Sequence, residues 1–478
     1  MSRDESRGPE GDTCQGSSES LWSAIPESIR GKHEEDYTQV PLSRAIVLLA
    51  LPMMLELVME STFGLVDIYF VGKLGPAAVA AVGLTGSLII LVFAIVMGLS
   101  MGTTAMVSRR IGENKPEAAG VAAWQAVLAG VIGSIPVSIL GAASSKQFLT
   151  WMGGSEAVVD GAGYTAVLFA GSVTIFLLFL NNAIFRGAGD AAVAMRALWL
   201  ANLINIVLDP LLIFGIGPFP KLGLVGAALA TTIGRGLGVA YQLSILFRGT
   251  GRIAIKRSSM RWEGEVFRRL LRVSATGTLQ FFVATAAWMG IMRIIALFGE
   301  AVLAGYTISL RLIHFAILPS WGVSNAAATL VGQNLGAGKP DRAEESVIKT
   351  GFVNFVMLGV VAVVFRIFAD PFIRAFTSEP EVVENGVQSL TILSAGYICA
   401  GFSMVFGQAF NGAGDTTTPT WINLFCYWCW QIPLAYVLAR PLGVGVEGVY
   451  WALVISGATW MVVGYAMFRR GKWKEHSI

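Results

Sequence analysis

Three acidic residues, Glu56, Glu60 and Asp67, stand four and then seven residues apart in an otherwise apolar stretch. At 3.6 residues per turn they share one face of a helix. Asn202, Asn205 and Asp209 form a similar stripe farther along the chain. Two such stripes facing each other would surround a small cation with carboxylate and amide oxygens, and Thr231 can add a hydroxyl. Oxygen donors suit a hard cation, and the same carboxylates can equally carry protons. The chemistry on offer is exchange of a cation rather than making of bonds. The chain has no HExxH and no paired histidine ligands, so no catalytic residues are expected. No Gly-Lys-Ser/Thr follows a glycine-rich turn, which argues against ATP as the direct energy source.

The surroundings of these residues decide how they are read. Of 478 residues, 54% are hydrophobic and only 14% charged, against roughly 25% charged in a soluble chain. Twelve apolar runs are long enough to cross a bilayer, at about 43–70, 77–107, 118–142, 162–184, 191–215, 224–247, 270–298, 301–328, 345–368, 387–410, 418–440 and 446–468. Membrane strands need only about 9–11 residues of alternating polarity, so these runs are helices. Glu56, Glu60 and Asp67 fall in the first run and Asn202, Asn205 and Asp209 in the fifth. A carboxylate at bilayer depth is costly and marks a functional site by default. Pro52, in the first run, is a bending point. Cys426 and Cys429 form CxxC in an aromatic apolar run and are read as packing residues.

Lysine and arginine placement orients the chain. Arg109, Arg110, Lys115, Arg186, the basic stretch from Arg248 to Arg272, Lys339 and Arg342 lie in one set of connections. The alternate connections hold only Lys73, Lys146, Lys221, Arg374 and Arg440. The first set is therefore cytoplasmic, with both termini inside and the protein in the plasma membrane. Residues 1–41 read as a disordered cytoplasmic tail, 42–247 as a six-helix lobe, 248–269 as a cytoplasmic linker, 270–468 as a second six-helix lobe and 469–478 as a tail. A net charge of +3 gives no reason to expect a nucleic-acid partner.

The second half repeats the first at a displacement of about 224 residues. Gly98, Ser100, Val107, Gly112, Lys115, Pro116 and Ala119 fall without a gap on Gly322, Ser324, Val331, Gly336, Lys339, Pro340 and Ala343. One residue further, Phe185-Arg-Gly-Ala-Gly-Asp190 matches Phe410-Asn-Gly-Ala-Gly-Asp415. Six spans separate matching positions, so the halves are parallel repeats related by an axis along the membrane normal, an architecture of secondary transporters.

The motifs that carry a resemblance are Pro52 with Asp67 and Val71-Gly-Lys-Leu-Gly75, the Arg186-Gly-Ala-Gly-Asp190 turn, Asn205 with Asp209-Pro210, Gly226-Ala-Ala-Leu-Ala-Thr231 and Val331-Gly-Gln-Asn-Leu-Gly-Ala-Gly-Lys-Pro340. Over roughly residues 42–470 the chain resembles the multidrug and toxic compound extrusion (MATE) family of the MOP flippase superfamily, in its archaeal, DinF-like branch. The resemblance implies an all-helical membrane protein whose halves form a V-shaped bundle. It implies efflux of organic, often cationic or amphipathic compounds in antiport with Na+ or H+, with no organic cofactor. It also implies that Asp67, Asn205, Asp209 and Thr231 form the cation-coupling site.

Glu56, Glu60, Phe63, Asn202, Gln280 and Arg311 are candidates for the substrate cavity. Glu56 and Glu60 either attract a cationic substrate or pair with Arg235 or Arg311. Faces of Phe63, Phe281, Phe282, Trp288, Tyr306 and Trp321 can attract organic cations. At the repeat displacement Glu56 meets Gln280 and Asp67 meets Ile291, so no second cation site is expected in the other half. His314 is read as hydrogen-bonded within its helix.

These readings combine in alternating access by a monomer embedded in lipid: the cation binds the acids, spans 1, 5 and 6 repack, and the substrate leaves outward. The alternative within the superfamily is a lipid-linked oligosaccharide flippase, for which a row of cavity arginines is expected.

Overall fold

The computed structural model describes residues 21–31 and 35–476. A short helix α1 (Leu21–Arg30) precedes α2 (Leu42–Gly72), α3 (Pro76–Gly112) and α4 (Pro116–Ala143). Two short helices, α5 (Ser145–Trp151) and α6 (Glu156–Val159), lead to α7 (Ala162–Ala170) and α8 (Ser172–Ala188), then α9 (Ala191–Phe214) and α10 (Leu224–Arg248). The second lobe comprises α11 (Gly264–Ala296), α12 (Glu300–Gly336), α13 (Pro340–Arg374), α14 (Pro380–Ala395), α15 (Tyr397–Ala413), α16 (Thr417–Asn423), α17 (Ile432–Ala439) and α18 (Val446–Arg469). A π-helical stretch, Leu424–Gln431, joins α16 to α17 and contains both Cys426 and Cys429. Among the described residues, ten helices are long and apolar enough to span singly. The fourth and tenth spans are each a bent pair, broken by 41° before α8 and by 53° between α14 and α15. Counting each pair once makes the expected twelve. The breaks fall at Gly171 and Gly396, equivalent places in the two repeats.

Local chemistry explains the boundaries. Pro76, Pro116, Pro340 and Pro380 open their helices, where a missing N–H costs nothing. The two GAGD turns end α8 and α15 with Gly189 and Gly414 at φ 87° and 86°, a left-handed cap that only glycine adopts without strain.

The repeat becomes a pseudo-two-fold axis in three dimensions. Thr85 and Thr165 share a buried hydrogen bond of 2.7 Å, and Ser309 and Ser389, 224 residues later, share one of 2.6 Å. Gly112 packs against the carbonyl of Gln333, and Gly336 packs reciprocally against that of Arg109.

The lobes meet only in the half of the bundle that carries the termini and the basic connections. There Leu48, Leu49 and Met53 of α2 form a core with Val323, Ala326 and Leu330 of α12. Gly98 and Gly102 of α3 lie against Thr278 and Ser274 of α11. In the other half each lobe has its own core, one around Val71, Tyr164 and Ile213, the other around Ile291, Tyr306 and Tyr450. Nothing approaches Gly64, Gly75, Gly83 or Gly299 there. The bundle is a V, closed at the basic end.

Three sequence expectations change. Residues 21–30 are helical, and 35–41 are pinned rather than loose; the part of the expected tail at 1–20 and 32–34 lies outside the described residues. Tyr37 is fully buried, its hydroxyl donates to the Gly189 carbonyl at 3.1 Å, and Arg252 lies over its ring. Lys339 donates to the Thr38 carbonyl at 2.9 Å, Arg342 to those of Tyr37 and Val40, and Arg44 pairs with Glu27 and Glu35. The missed order is tertiary: no periodicity marks a segment held by arginines and lysines from elsewhere. The linker, too, is packed, with Ile253 and Ile255 in the first lobe's core and α11 beginning at Gly264, before the expected 270. The C-terminal tail folds back through Trp473, which is buried and stacked on Phe468.

Candidate functional site

The stripe on α2 does face the stripe on α9, with α10 beside both. Asn205, Asp209 and Thr231 are buried. Asn205 Nδ2 donates to Thr231 Oγ1 at 3.0 Å and reaches Asp209 Oδ1 at 3.5 Å. This spends the amide's donor side and leaves acceptors. Asp67 Oδ1, Asn205 Oδ1 and Asp209 Oδ2 are all buried without a hydrogen-bond partner. The charges of Asp67 and Asp209 act on each other, and both act on the Tyr164 hydroxyl. Leaving several buried acceptors empty is expensive, each costing about 1–3 kcal/mol. Among the described residues no group of three or more His, Cys, Asp or Glu side chains converges. The donor set is thus carboxylate, amide and hydroxyl oxygen, which suits a hard cation or protons rather than a transition metal.

Toward the basic end the same helices continue the polar ladder. Glu60 accepts from Asn202 Nδ2 at 3.1 Å and lies 3.8 Å from Arg235 of α10. The charge of Arg235 also acts on Asp67. Glu56, only 1% exposed, accepts from Asn182 Nδ2 at 2.9 Å and from Arg186 Nη1 at 3.2 Å. Gln242 Nε2 donates to Asn182 Oδ1 at 2.5 Å.

Glu56, Glu60 and Arg186 line a cavity of about 230 Å³ above the inter-lobe seam, with Met97, Trp321 and Asn411 among its other walls. An adjoining cavity of about 300 Å³ shares Met101, Trp321, Gln408 and Asn411 with it and is lined by Gln280 on the second lobe. Of the expected cavity residues, Glu56, Glu60 and Gln280 are in place. Asn202 contacts the cavity only through Glu60, and Phe63 is buried outside both linings.

Arg311 is exposed and lines neither cavity, although Leu318 and Asn325, seven and fourteen residues further along the same face of α12, line the first of them. The partner of Glu56 is instead Arg186, which the charge pattern placed in a cytoplasmic connection. Its side chain points from the end of α8 up into the bundle. Of the aromatics, Trp321 faces the cavity, Tyr306 is buried in a stack with Tyr450, and Phe282 and Trp288 are exposed. Phe93 and Phe179 are cavity aromatics that sequence reasoning missed. Arg186 and Asn411 could have been found together: they hold the same place in the two repeated turns. His314 Nδ1 lies 2.9 Å from the Leu310 carbonyl, the expected intrahelical bond. Pro52 is buried within α2, which runs through it as one helix, and Gly322 of α12 packs on the backbone of Met53 and Met54 beside it.

Comparison with known proteins agrees with this architecture. The MatE family model matches residues 52–211 and again 278–437, once in each lobe. A probable multidrug resistance protein NorM of Thermotoga maritima is 26% identical, over 92% of this chain and 95% of its own. An FAD transporter of Shewanella oneidensis is 26% identical, over 91% of this chain and 96% of its own. A solved structure described as the outward-facing conformation of a multidrug resistance MATE family transporter of the MOP superfamily superposes with a TM-score of 0.86 at 26% identity, covering 92% of this chain and 98% of that one.

Proposed function

The chain belongs to the MatE family, and on that premise we propose that Asp67, Asn205, Asp209 and Thr231 bind the coupling cation while the central cavity takes the exported compound. The protein is a multidrug efflux transporter that works by alternating access, not an enzyme. The observation that carries the coupling site is the set of three buried, unpartnered oxygens on α2 and α9, since a cation or protons would satisfy all of them at once. Na+ and H+ fit this donor set equally.

Coupling follows from Arg235. While Asp67 is charged, Arg235 is shared between Asp67 and Glu60. Neutralising Asp67 leaves Arg235 to Glu60 alone, drawing Glu60 and its partner Asn202 away from the cavity. Only a partner that interacts differently with two states can shift their populations, and a cation on these acids does so. Pro52 leaves the Leu48 carbonyl without its helical hydrogen bond, which makes it the bending point of α2. Placement of the basic residues puts the closed end and both termini in the cytoplasm of a plasma-membrane protein, so the V is the outward-open state. One charge crossing a membrane potential of about 100 mV supplies about 2.3 kcal/mol. The first lobe alone completes the coupling site and the two lobes together complete the cavity, all within one chain, which supports a monomer.

The oligosaccharide flippase reading is disfavoured by the cavity. A single arginine, Arg186, lines it, and Glu56 already pairs with that arginine. The test is efflux of a fluorescent amphipathic dye from proteoliposomes under a Na+ gradient or a pH gradient, with wild type and Asp209→Asn compared. Efflux driven by one gradient and abolished by the substitution is the expected result. Efflux indifferent to Asp209 would remove the coupling site.

A further inference from the structure

Both carboxylates at the cavity already have a guanidinium partner: Glu56 has Arg186 and Glu60 has Arg235. At the cavity floor the charges of Glu56 and Arg186 therefore cancel, while Arg235, outside the lining, also acts on Asp67. A simple monocation entering this desolvated space would bring an uncompensated charge with it, which is unfavourable in a low-dielectric site.

The hydrogen-bonding atoms left over are of both kinds. Glu56 Oε2, Ser100 Oγ and Asn411 Oδ1 are buried in the cavity wall without a partner. Glu56 and Asn411 are 1% and 3% exposed, and they come from opposite lobes. Both need a donor. Arg186 spends Nη1 on Glu56, and among the described residues its other guanidinium N–H groups have no hydrogen-bond partner. They need an acceptor, and a guanidinium prefers an anionic one. Around these polar atoms stand Met97, Met101, Phe93 and Trp321, an apolar and adaptable wall.

We propose that the cavity floor is a dipole-binding site that prefers amphipathic zwitterions, compounds joining an N–H-bearing cation to a carboxylate or phosphate-like anion, over simple monocations. The proposal rests on the reading of this cavity as the place of the exported compound. The ligand's cation bonds to Glu56 Oε2 and Asn411 Oδ1, its anion bonds to the free edge of Arg186, and the Glu56–Arg186 pair becomes a four-membered charge cluster. Because Asn411 belongs to the second lobe and Glu56 and Arg186 to the first, the ligand head bridges the seam. The carbonyls of Arg186 and Gly187 already accept from Thr329 and Gln333 of the second lobe at 2.9 and 3.0 Å, so the head sits directly on the seal that must part.

Three dyes separate the contributions: an aminorhodamine with a free carboxylate, its methyl ester, and a rhodamine with a free carboxylate but fully alkylated nitrogens. Binding is measured by fluorescence polarisation on the full-length protein in lipid nanodiscs, and export in proteoliposomes. The free acid with N–H groups is expected to bind about tenfold tighter than either of the others, as loss of one charge-assisted hydrogen bond requires. In Arg186→Gln the preference over the ester disappears, and in Glu56→Gln the preference over the alkylated dye disappears. Arg186→Lys, which keeps the cation, retains a preference and serves should Arg186→Gln fail to fold. An ester that binds the wild type as tightly as the acid overturns the proposal, and if that ester is exported the efflux reading stands. If none of the dyes binds or is exported, both readings fall.

Discussion

Arg186 Nη1 lies 3.2 Å from Glu56 Oε1, joining the end of α8 to the middle of α2 at the floor of the cavity. The pair is nearly removed from water, with side chains 13% and 2% exposed. Such a pair is costly to break from one side, since the remaining charge is stranded. Glu56→Ala is expected to destabilise the protein by about 3–5 kcal/mol. Replacing both partners together, as Glu56→Ala with Arg186→Ala, should cost less than the sum of the two single changes. Thermal unfolding of the four proteins in one detergent measures the coupling; additive losses would show that the pair carries no interaction.

Asp209→Asn keeps the shape of the buried side chain and removes its charge. Gradient-driven efflux should fall to the level of protein-free liposomes, while dye binding in the cavity changes by no more than a few-fold. The split between binding and transport distinguishes lost coupling from a damaged fold.

Gly112 and Gly336 let the two lobes approach backbone to backbone at the basic end. A single methyl at either position would overlap a carbonyl oxygen of the other lobe. Gly112→Ala and Gly336→Ala should each cost about 1–3 kcal/mol. Each should also expose a cysteine placed at Thr104, on the cavity wall, to an impermeant thiol reagent from the basic side. Unchanged labelling would mean that this seam does not seal the cavity.

Residues 35–40 are held by both lobes at once, by Arg252 and Gly189 on one side and by Lys339 and Arg342 on the other. Tyr37→Ala, which empties a fully buried site, should cost about 3–5 kcal/mol. It should open the chain before Leu42 to limited proteolysis. Resistance equal to wild type would show that the segment is held without Tyr37.

Asp36 sets the pH range of this contact. Partial burial works to raise its carboxyl, but donors from Thr38 and Gln39 and the charge of Lys339 outweigh that and hold it below the ordinary carboxylate value. Its stabilisation is therefore present above the unfolded carboxylate range and lost as pH falls through the lowered value. Proteolytic resistance at residues 35–41 should be flat across neutral pH and weaken only in strong acid. A change between mildly acidic and mildly alkaline pH would contradict this.

Much of the protein was legible from one sequence because the bilayer constrains it severely. Apolar runs of spanning length give the helices, basic connections give their direction, and a gap-free repeat from Gly98 to Ala119 gives the two-lobed plan. The α2 and α9 stripes were legible for the same reason: helical period places Glu56, Glu60 and Asp67 on one face whatever the tertiary fold. What period cannot tell is where a long side chain reaches. Arg186 reads as one more basic residue in a turn, and only the packing of α8 against α3 and α9 turns it inward to Glu56. Arg311 reads as a cation in a span, and only the tertiary structure leaves it exposed and outside both cavities. The 35–41 segment has no pattern of its own, since its order comes from Arg252, Lys339 and Arg342, each distant in sequence. The sequence by itself determined the elements, their orientation and the acids available for coupling, because these depend on local period and burial. The tertiary structure alone decided which charges neutralise each other, and so the polarity of the cavity, because that depends on how helices rotate and how far side chains extend.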